Sequence, residues 1–275
     1  MILTKENYYS TEANMEYMSV SQWKDFNDCP ARALATLKGE YTPPTSTALL
    51  VGGYVDAHFS GEANEFVDAH PEIFKKDGTL KAEYVAAQKM INRFKEDELL
   101  SALMGGEKQV IVAGTIAGVK FKGKIDSLLS EADVDSIARA FPDNPVLQFV
   151  EGLIVDQKAM KDFSPVWSDD AHAKVSFIDA WRYDKQGAVY QELGFQTFGK
   201  RLPFVIAGVS KEDEPDITAQ YVPQSTIDTA LCEVEDSAPI YAAMKRGEIE
   251  APGCGHCAYC RRQKKLRYIV NYKEV

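Results

Sequence analysis

A charged pair, Asp156 and Lys158, ends the apolar run GLIVDQK. Residues two apart on a β-strand point to the same face of the sheet, so the two side chains should lie together. An aspartate can bind a divalent cation, and a neighbouring lysine can orient an attacking water and offset charge developing on a phosphate. A strand-end salt bridge is the simpler interpretation of this pair taken alone.

Further residues in a fixed order strengthen the hydrolytic interpretation. Asp126 ends a second β-like run, FKGKID, and a carboxylate from a neighbouring strand is what a Mg²⁺ or Mn²⁺ site requires. His58, on a predicted helix, is a candidate ligand that suits Mn²⁺ better, or else a core histidine. Gln186 and Tyr190 share one helix face and are candidates for hydrogen bonds to DNA, or for ordinary helix packing.

A second set of ligand types lies near the C-terminus. The cysteines of the chain are Cys29, Cys232, Cys254, Cys257 and Cys260. The spacing C-x-x-C-x-x-C over 254–260 is typical of a metal site, and Cys29 or His256 is the candidate fourth ligand. Reduced thiols in a turn are the alternative. Cys232 lies in a predicted helix, where we expect it to be buried.

Hydrophobic periodicity and capping residues predict the elements that position these groups. Residues 1–18 read as a loose arm and 130–150 as a polar insertion that loops out of a hairpin. Three predicted helices begin at Ser19 or Ser21, at Pro30 (ending near Gly39) and at Thr45 or Ser46. Three more cover residues 81–103, a segment that contains Phe177, Trp181, Tyr190 and Leu193, and residues 225–246. The predicted strands cover 108–113 and 117–129, joined near Gly114, then 152–158, 202–209 and 216–223. This order predicts an α/β fold with a mixed β-sheet flanked by helices.

Taken together, these motifs resemble a known family. The order histidine, GKID, IVDQK and Q-x-x-x-Y resembles the RecB-like branch of the PD-(D/E)XK superfamily of nucleases. The segments MSVSQWKDFNDCPARALATLKGE and CGHCAYCRR are similar to phage and prophage RecE-like exonucleases of the exonuclease VIII type. The similarity spans most of residues 17–267.

The resemblance implies a restriction-endonuclease-like core in one domain, residues 1–275. Its parts would be an N-terminal helical region (1–105), a catalytic core (106–222) and a C-terminal cysteine-rich segment (223–275). It also implies roles for individual residues. Mg²⁺ or Mn²⁺ would be bound by His58, Asp126, Asp156 and the backbone carbonyl of Gln157. The catalytic residues would be Asp126, Asp156 and Lys158. Gln186 and Tyr190 would contact DNA. Gln157 stands where many relatives have an acidic residue.

For the cysteines, the resemblance implies a [4Fe–4S] cluster on Cys29, Cys254, Cys257 and Cys260. The short gap before Cys260 keeps Zn²⁺ as the alternative. Arg261 and Arg262 begin the basic run RRQKKLR, which could contact DNA phosphates or be a solvated tail.

The function implied is a metal-dependent DNA exonuclease that hydrolyses phosphodiester bonds and resects linear duplex DNA for phage-type recombination. Its partners would be DNA, a single-strand annealing protein and further copies of the chain in a homo-oligomer. The alternative is a non-catalytic DNA-binding scaffold on a nuclease fold. Among 275 residues the net charge is −10, which argues against a basic nucleic-acid coat protein but not against a nuclease with a local basic groove. The absence of long apolar runs and of a signal-peptide pattern predicts a cytoplasmic protein without membrane contact.

Overall fold

A five-stranded mixed sheet forms the centre of the protein, in a computed structural model that describes residues 1–148, 150–169, 171–266, 269 and 271. The strands are β1 (Glu107–Ile116), β2 (Val119–Ser130), β3 (Gly152–Met160), β4 (Val166–Ser168), β5 (Ala173–Val175), β6 (Phe204–Ser210) and β7 (Ile217–Tyr221). The large sheet has the order β1-β2-β3-β6-β7, and β4 pairs with β5 separately. Strands β3 and β6 run parallel, whereas the other neighbours in the large sheet are antiparallel. The predicted mixed α/β architecture is confirmed.

Helices cover both faces of this sheet. They are α1 (Thr11–Glu16), α2 (Val20–Asp28), α3 (Pro30–Leu37), α4 (Thr47–Ser60), α5 (Ala63–Ala69), α6 (Ala82–Glu96), α7 (Glu98–Leu103), α8 (Glu131–Ala140), α9 (Phe177–Ala180), α10 (Tyr183–Phe198), α11 (Gln224–Arg246) and α12 (Ala258–Gln263). Within the part of the chain that is described, no helix has both the length and the apolarity needed to cross a membrane.

Two hydrophobic cores lie on opposite sides of the sheet. One joins it to α2, α10 and α11, and the other joins it to α4, α6, α7 and α8. In β3, Ile154 belongs to the first core, whereas Leu153 and Val155 belong to the second. Because strand residues alternate between faces, Asp156 and Lys158 share the α10 side with Ile154.

Serine and proline signals placed several helices correctly. The Ser19 hydroxyl accepts the Gln22 N–H at 3.2 Å to begin α2, and the Ser46 hydroxyl accepts the Leu49 N–H at 3.2 Å to begin α4. Pro30 occupies the first turn of α3. These starts, the strand β3 and the β6–β7 pair are confirmed.

Two long predicted helices are each divided in the structure. The segment 81–103 breaks at Asp97, whose carboxylate accepts the Leu100 N–H at 2.9 Å and caps α7. Arg182 separates α9 from α10 by adopting a left-handed conformation with φ of 53°. The apolar spacing continued across both breaks, so periodicity alone could not locate them.

The predicted polar insertion at 130–150 is wrong, because this segment contains α8. Ser130 and Asp133 form a capping box, in which each side chain accepts the backbone N–H of the other. Val134 and Ile137 are buried against the sheet. The segment is therefore a helical crossover between two antiparallel neighbours.

The predicted loose arm at 1–18 is also wrong. Tyr8, Ala13 and Met18 are buried, and Met18 exchanges backbone hydrogen bonds with β2, donating to Lys120 at 2.8 Å and accepting from Lys122 at 2.9 Å. The N-terminal segment is consequently part of the wall beside β2.

Two smaller predictions are corrected. The β1–β2 turn lies at Ala117 and Gly118, not at Gly114, and both turn residues have the positive φ typical of a tight hairpin. Cys232 is exposed, because the buried face of α11 passes through Ala230 and Val234 instead.

The outer edge of β1 is closed by a side chain. The Gln196 amide of α10 donates to the Thr115 carbonyl at 2.8 Å and accepts the Thr115 N–H at 2.9 Å. A single side chain thus forms the pair of bonds that a neighbouring strand would form.

The contact of α10 with β6 gives a stability prediction. A Cβ atom on Gly187 would lie 2.5 Å from a ring carbon of the buried Phe204 and 2.8 Å from Ile227. We therefore expect Gly187→Ala to lower the free energy of unfolding by about 1 to 3 kcal/mol through overpacking.

Gly194 on the same helix provides the matched control. Its added Cβ would meet Ile154 at 3.6 Å, an ordinary contact, so Gly194→Ala should be neutral or stabilise by about 0.4 to 1 kcal/mol. Urea denaturation of the two variants measures both effects. Equal effects of the two substitutions would contradict the close packing at Gly187.

Candidate active site

The candidate site lies where β2 and β3 separate. The antiparallel ladder between them runs from Ser130 opposite Gly152 to Ser127 opposite Val155 and then ends. The next facing pair in this register would be Asp126 and Asp156. Their carboxylates therefore lie at the fork of the two strands, as the sequence motifs predicted for neighbouring strands.

Asp126 replaces the missing ladder bond with its side chain. Its Oδ2 accepts the backbone N–H of Gln157 at 2.9 Å, and its Oδ1 accepts the Gln109 amide at 3.3 Å. Although the residue as a whole is half-buried, its carboxyl group is shielded from solvent. Burial first, and the nearby Asp156 second, raise the pKa of Asp126 to about 8.

Asp156 is the centre of a buried polar network. It is 1% exposed, and its Oδ2 forms an ion pair with the Lys158 ammonium. Its Oδ1 accepts the Gln186 amide at 2.7 Å, and the same amide nitrogen donates to the Tyr190 hydroxyl at 3.2 Å. The structure thus brings these four predicted site residues together.

The charge states of Lys158 and Tyr190 follow from this environment. Burial lowers the pKa of the Lys158 ammonium, but Asp156 and Asp126 raise it by more, so the net pKa lies above its ordinary value. Burial, with Asp156 adding to it, raises the pKa of Tyr190 well above its usual value. At neutral pH, Lys158 is a cation and Tyr190 is a neutral phenol, and both can donate hydrogen bonds.

Gln109 holds Asp126 from a strained position. It lies between Lys108 and Val110, which pair with Ser127 and Ile125 on β2, and it is 3% exposed with a φ of 54°. This left-handed conformation is uncommon for a residue other than glycine and occurs often at functional sites. At the same place β2 changes its packing face, since Ile125 lies in the core beside α10 and Leu129 in the opposite core.

A cavity of about 740 Å³ extends from these residues to the N-terminal segment. Its acidic side chains are Asp25, Asp56, Asp126 and Asp156. Its basic side chains are Lys24, Lys38, Lys122, Lys124 and Lys158. The protein is acidic overall, with a net charge of −10, yet five lysines and four aspartates line this cavity.

The ring of Tyr183 lies close to two lysine ammonium groups of the cavity wall. The ammonium groups of Lys24 and Lys158 lie 4.9 and 5.1 Å from the ring centroid of Tyr183. Lys24 also donates to the Trp181 carbonyl at 2.8 Å. Burial, followed by repulsion from Lys158, lowers the pKa of Lys24 to about 8.

A buried lysine fixes the N-terminal segment against β2. Lys122 is 1% exposed and donates to the Tyr8 carbonyl and, at 2.8 Å, to Asn14. Burial lowers the pKa of Lys122 to about 8. Lys124, two residues along the same strand face, lies 4.9 Å from the ring centroid of Tyr9.

His58 is not brought into this cavity. Its Nε2 lies 2.5 Å from the Lys95 ammonium, and burial together with that ammonium lowers the pKa of His58. Two residues are separated by roughly 200° around an α-helix, so Asp56 and His58 point to opposite sides of α4. Asp56 lines the cavity instead, and burial raises the pKa of its carboxyl.

Arg261 and Arg262 also lie elsewhere. Both are exposed on α12, outside the cavity lining. They follow the cysteine segment, where the structure brings together Cys29, Cys254, Cys257 and Cys260, with all four sulfurs within 4.8 Å of one another. This four-cysteine group could hold a metal ion. His256, the alternative fourth ligand, instead places its Nδ1 2.9 Å from the Cys254 carbonyl.

The donor set of the cavity fits a hard divalent cation. Asp56, Asp126 and Asp156 offer carboxylate oxygens, the ligand type that Mg²⁺ and Mn²⁺ prefer. Burial raises the pKa of Asp56 and of Asp126, and Asp156 raises both further by repulsion. A dication would favour the ionised form of all three carboxylates.

Several site residues were not identified from the sequence. Lys122 and Lys124 alternate on one face of β2, a signal that was available in FKGKID but was overshadowed by Asp126. Asp56 was missed because the neighbouring histidine is the more familiar ligand. Gln109 left no signal, since nothing in the run KQVIVA indicates a left-handed residue.

Comparison with known proteins agrees with this geometry. Residues 19–136 and 139–263 match the sequence model of a family described as a PDDEXK-like domain of unknown function. The chain belongs to this PD-(D/E)XK-like family. The superfamily predicted from the motifs is therefore confirmed, whereas the narrower RecE-like assignment stays a prediction.

A solved structure supports the same assignment for this PD-(D/E)XK-like chain. A protein from Eubacterium rectale, described as a "putative exonuclease", is 39% identical and has a TM-score of 0.87. The match covers 100% of this chain and 98% of that protein. Among curated proteins, no significant match is found.

Proposed function

We propose that this protein is a metal-dependent exonuclease that hydrolyses phosphodiester bonds from the ends of duplex DNA. The observation that carries the proposal is the fork between β2 and β3, where Asp126, Asp156 and Lys158 meet beside a cavity with cationic walls. The family assignment supports nuclease chemistry. The description of the Eubacterium rectale protein supports the exonuclease form.

Asp126 and Asp156 are the proposed metal ligands, with Asp56 as a third carboxylate and the Gln157 carbonyl as a further oxygen. Bound Mg²⁺ or Mn²⁺ would polarise the phosphate and lower the pKa of a coordinated water. Gln109 and Gln186 hold the two aspartates by hydrogen bonds, so that both carboxylates keep fixed orientations. Fixed ligands avoid reorganisation during the reaction.

Lys158 acts in this proposal as a cation and not as a base. Its pKa is raised by Asp156 and Asp126, so the ammonium keeps its proton at neutral pH. A protonated lysine can orient a water molecule and stabilise negative charge on the phosphate. It cannot accept a proton from that water.

DNA is the proposed substrate because the cavity offers cations beyond the reacting centre. Lys124 and Lys24 line it, and neither is among the carboxylate ion pairs found in the described residues. Tyr9, which lines the same wall, is 68% exposed, whereas the neighbouring Tyr8 is buried. Cations and aromatic rings together suit a nucleic-acid strand, whose phosphates and bases they contact separately. Products of such resection would serve a single-strand annealing protein, a role extended from the RecE-like resemblance.

The decisive experiment compares linear duplex labelled at its 5′ or 3′ ends with covalently closed circular duplex. Each is incubated with the protein in Mg²⁺, Mn²⁺ or EDTA. We expect linear DNA to shorten in either metal, the circle to survive and EDTA to stop the reaction. Cleavage of the circle would overturn the exonuclease assignment, and intact linear DNA under every condition would overturn the nuclease assignment.

Binding provides a second arm that does not depend on turnover. Lys124→Ala should weaken binding of a fluorescent duplex end and reduce the slope of log affinity against log salt by about 0.9, the effect of one phosphate contact. Lys120→Ala is the matched control, because Lys120 is on the same strand face but pairs with Glu16 at 2.8 Å outside the cavity. Equal losses for both variants would contradict the proposed path of the strand.

A further inference from the structure

The sulfur atoms of the four-cysteine group are nearly in van der Waals contact. The Sγ of Cys29 lies 3.6 Å from that of Cys260 and 3.8 Å from that of Cys257. The Sγ atoms of Cys254 and Cys260 are 4.0 Å apart. All six sulfur pairs lie within 4.8 Å. The group is therefore a small tetrahedron of sulfurs.

The size of this tetrahedron matches one metal ion. Zinc–thiolate bonds of about 2.3 Å at tetrahedral angles place neighbouring sulfurs about 3.8 Å apart. Three of the six sulfur–sulfur distances, 3.6, 3.8 and 4.0 Å, bracket that value. Four thiolates with no open position are also the ligand set of structural zinc sites.

The same distances do not fit the [4Fe–4S] cluster that the family resemblance implied. In such a cluster each cysteine binds a different iron, and bridging sulfides lie between the irons. The cysteine sulfurs must then stand well apart from one another. Sulfurs in near contact enclose a hole for a single ion and leave no space for a cubane of eight atoms.

Backbone hydrogen bonds hold the sulfurs in this arrangement. The Cys254 N–H donates to the Cys29 sulfur at 3.5 Å, the Cys257 N–H to the Cys254 sulfur at 3.3 Å and the Cys260 N–H to the Cys257 sulfur at 3.4 Å. Each of these three sulfurs therefore accepts an N–H bond from the next cysteine of the group. Such bonds orient thiolates and disperse their charge around a bound metal.

We propose that Cys29, Cys254, Cys257 and Cys260 bind one tetrahedral zinc ion. The site joins the start of α3 to the C-terminal segment, where the Ala31 N–H also donates to the Pro252 carbonyl at 3.1 Å. Helix α3 contributes Ala33, Thr36 and Leu37 to the cavity wall. The ion thus fixes one wall of the active-site cavity by tying together residues more than 220 positions apart.

Metal analysis of the intact protein tests the proposal without reference to nuclease activity. The protein is expressed with excess iron, purified anaerobically and analysed for zinc and iron. We expect about one zinc per chain, essentially no iron and no visible absorption from an iron–sulfur cluster. Several irons per chain with such absorption would overturn the proposal, and so would a chain that binds neither metal after reconstitution.

Cobalt replacement and cysteine variants test the geometry. Co²⁺ in place of zinc should give the intense visible bands of a tetrahedral four-thiolate site. Cys257→Ser should lose the bound ion, whereas Cys232→Ser, which changes an exposed cysteine of α11, should keep it. If Cys257→Ser does not fold, the cobalt spectrum of the unmodified chain still decides, and an octahedral spectrum would contradict the four-sulfur site.

Discussion

Replacing Lys158 with methionine is expected to lower the rate of DNA cleavage at least about 100-fold, the usual effect of removing a group that stabilises developing charge. Methionine keeps the length of the side chain but removes the ammonium beside Asp156. Single-turnover cleavage of labelled linear duplex measures the change. Lys161→Met is the matched control, because Lys161 directly follows the same strand and its side chain is 94% exposed. This variant should cleave DNA at the normal rate.

The stability of this variant separates catalysis from folding. The apolar run GLIVDQK predicts the pair at a strand end, but the structure buries Asp156 and leaves the Lys158 side chain only 18% exposed. Lys158→Met leaves a buried carboxylate without its cation, which should cost about 3 to 5 kcal/mol of unfolding free energy.

The double variant Asp156→Asn with Lys158→Met removes both charges. It should recover most of that stability while remaining inactive, because the metal ligand and the cation are both absent. Recovery of cleavage together with stability would show that Lys158 has only a structural role. That outcome would contradict the proposed site.

The second large effect concerns pH. The pKa of Asp126 is about 8 in the folded protein and about 4 in an unfolded chain, so the folded state binds the additional proton between these values. The contribution of this proton to the stability of the folded state is complete below about pH 4 and is lost as the pH rises towards 8. We expect metal-free protein to lose about 2 to 4 kcal/mol of unfolding free energy over this range.

Asp126→Asn isolates this contribution. The variant should be more stable than the unmodified protein at pH 8 and should show a flatter pH dependence in urea denaturation without metal. Mg²⁺ should stabilise the unmodified protein more at pH 8 than at pH 5 and should have little effect on the variant. The same pH dependence in both proteins would contradict the buried carboxyl.

Asp133 has a lowered pKa, in contrast to the raised pKa of Asp126, and should therefore show the opposite pH dependence of stability. The side-chain and backbone hydrogen bonds from Ser130 lower the pKa of Asp133 in the α8 capping box. Its contribution is present above the unfolded pKa and is lost as pH falls through the lower folded value. Asp133→Asn should therefore reduce stability at pH 8, where Asp126→Asn increases it.

Much of this fold could be predicted because its signals are local. The serine caps at Ser19 and Ser46, Pro30 and the apolar run of β3 each depend on a few neighbouring residues. The capping box of Ser130 and Asp133 was equally local but stood in a segment that looked polar throughout. There the tertiary contacts of Val134 and Ile137 decided that a helix forms.

The residues of the candidate site likewise include some that local sequence signals predict and some that they do not. Asp126, Asp156 and Lys158 were predicted from strands whose ends carry charge, and the structure places the two aspartates at one fork of strands, with Lys158 paired to Asp156. The choice between Asp56 and His58 depends on the rotation of α4 against the sheet, which the sequence of the helix does not contain. The left-handed conformation of Gln109 arises from the shift of β2 between the two cores, a property of the whole sheet.

The bond pair between Gln196 and Thr115 also affects how these molecules meet one another in solution. A free edge strand offers N–H and carbonyl groups on which a second polypeptide can add as a further strand, the first step of many aggregates. At Thr115 those groups are already occupied by the amide of α10. Extension of the sheet beyond β1 at this point would require Gln196 to withdraw, so the side chain protects this strand against edge-to-edge association.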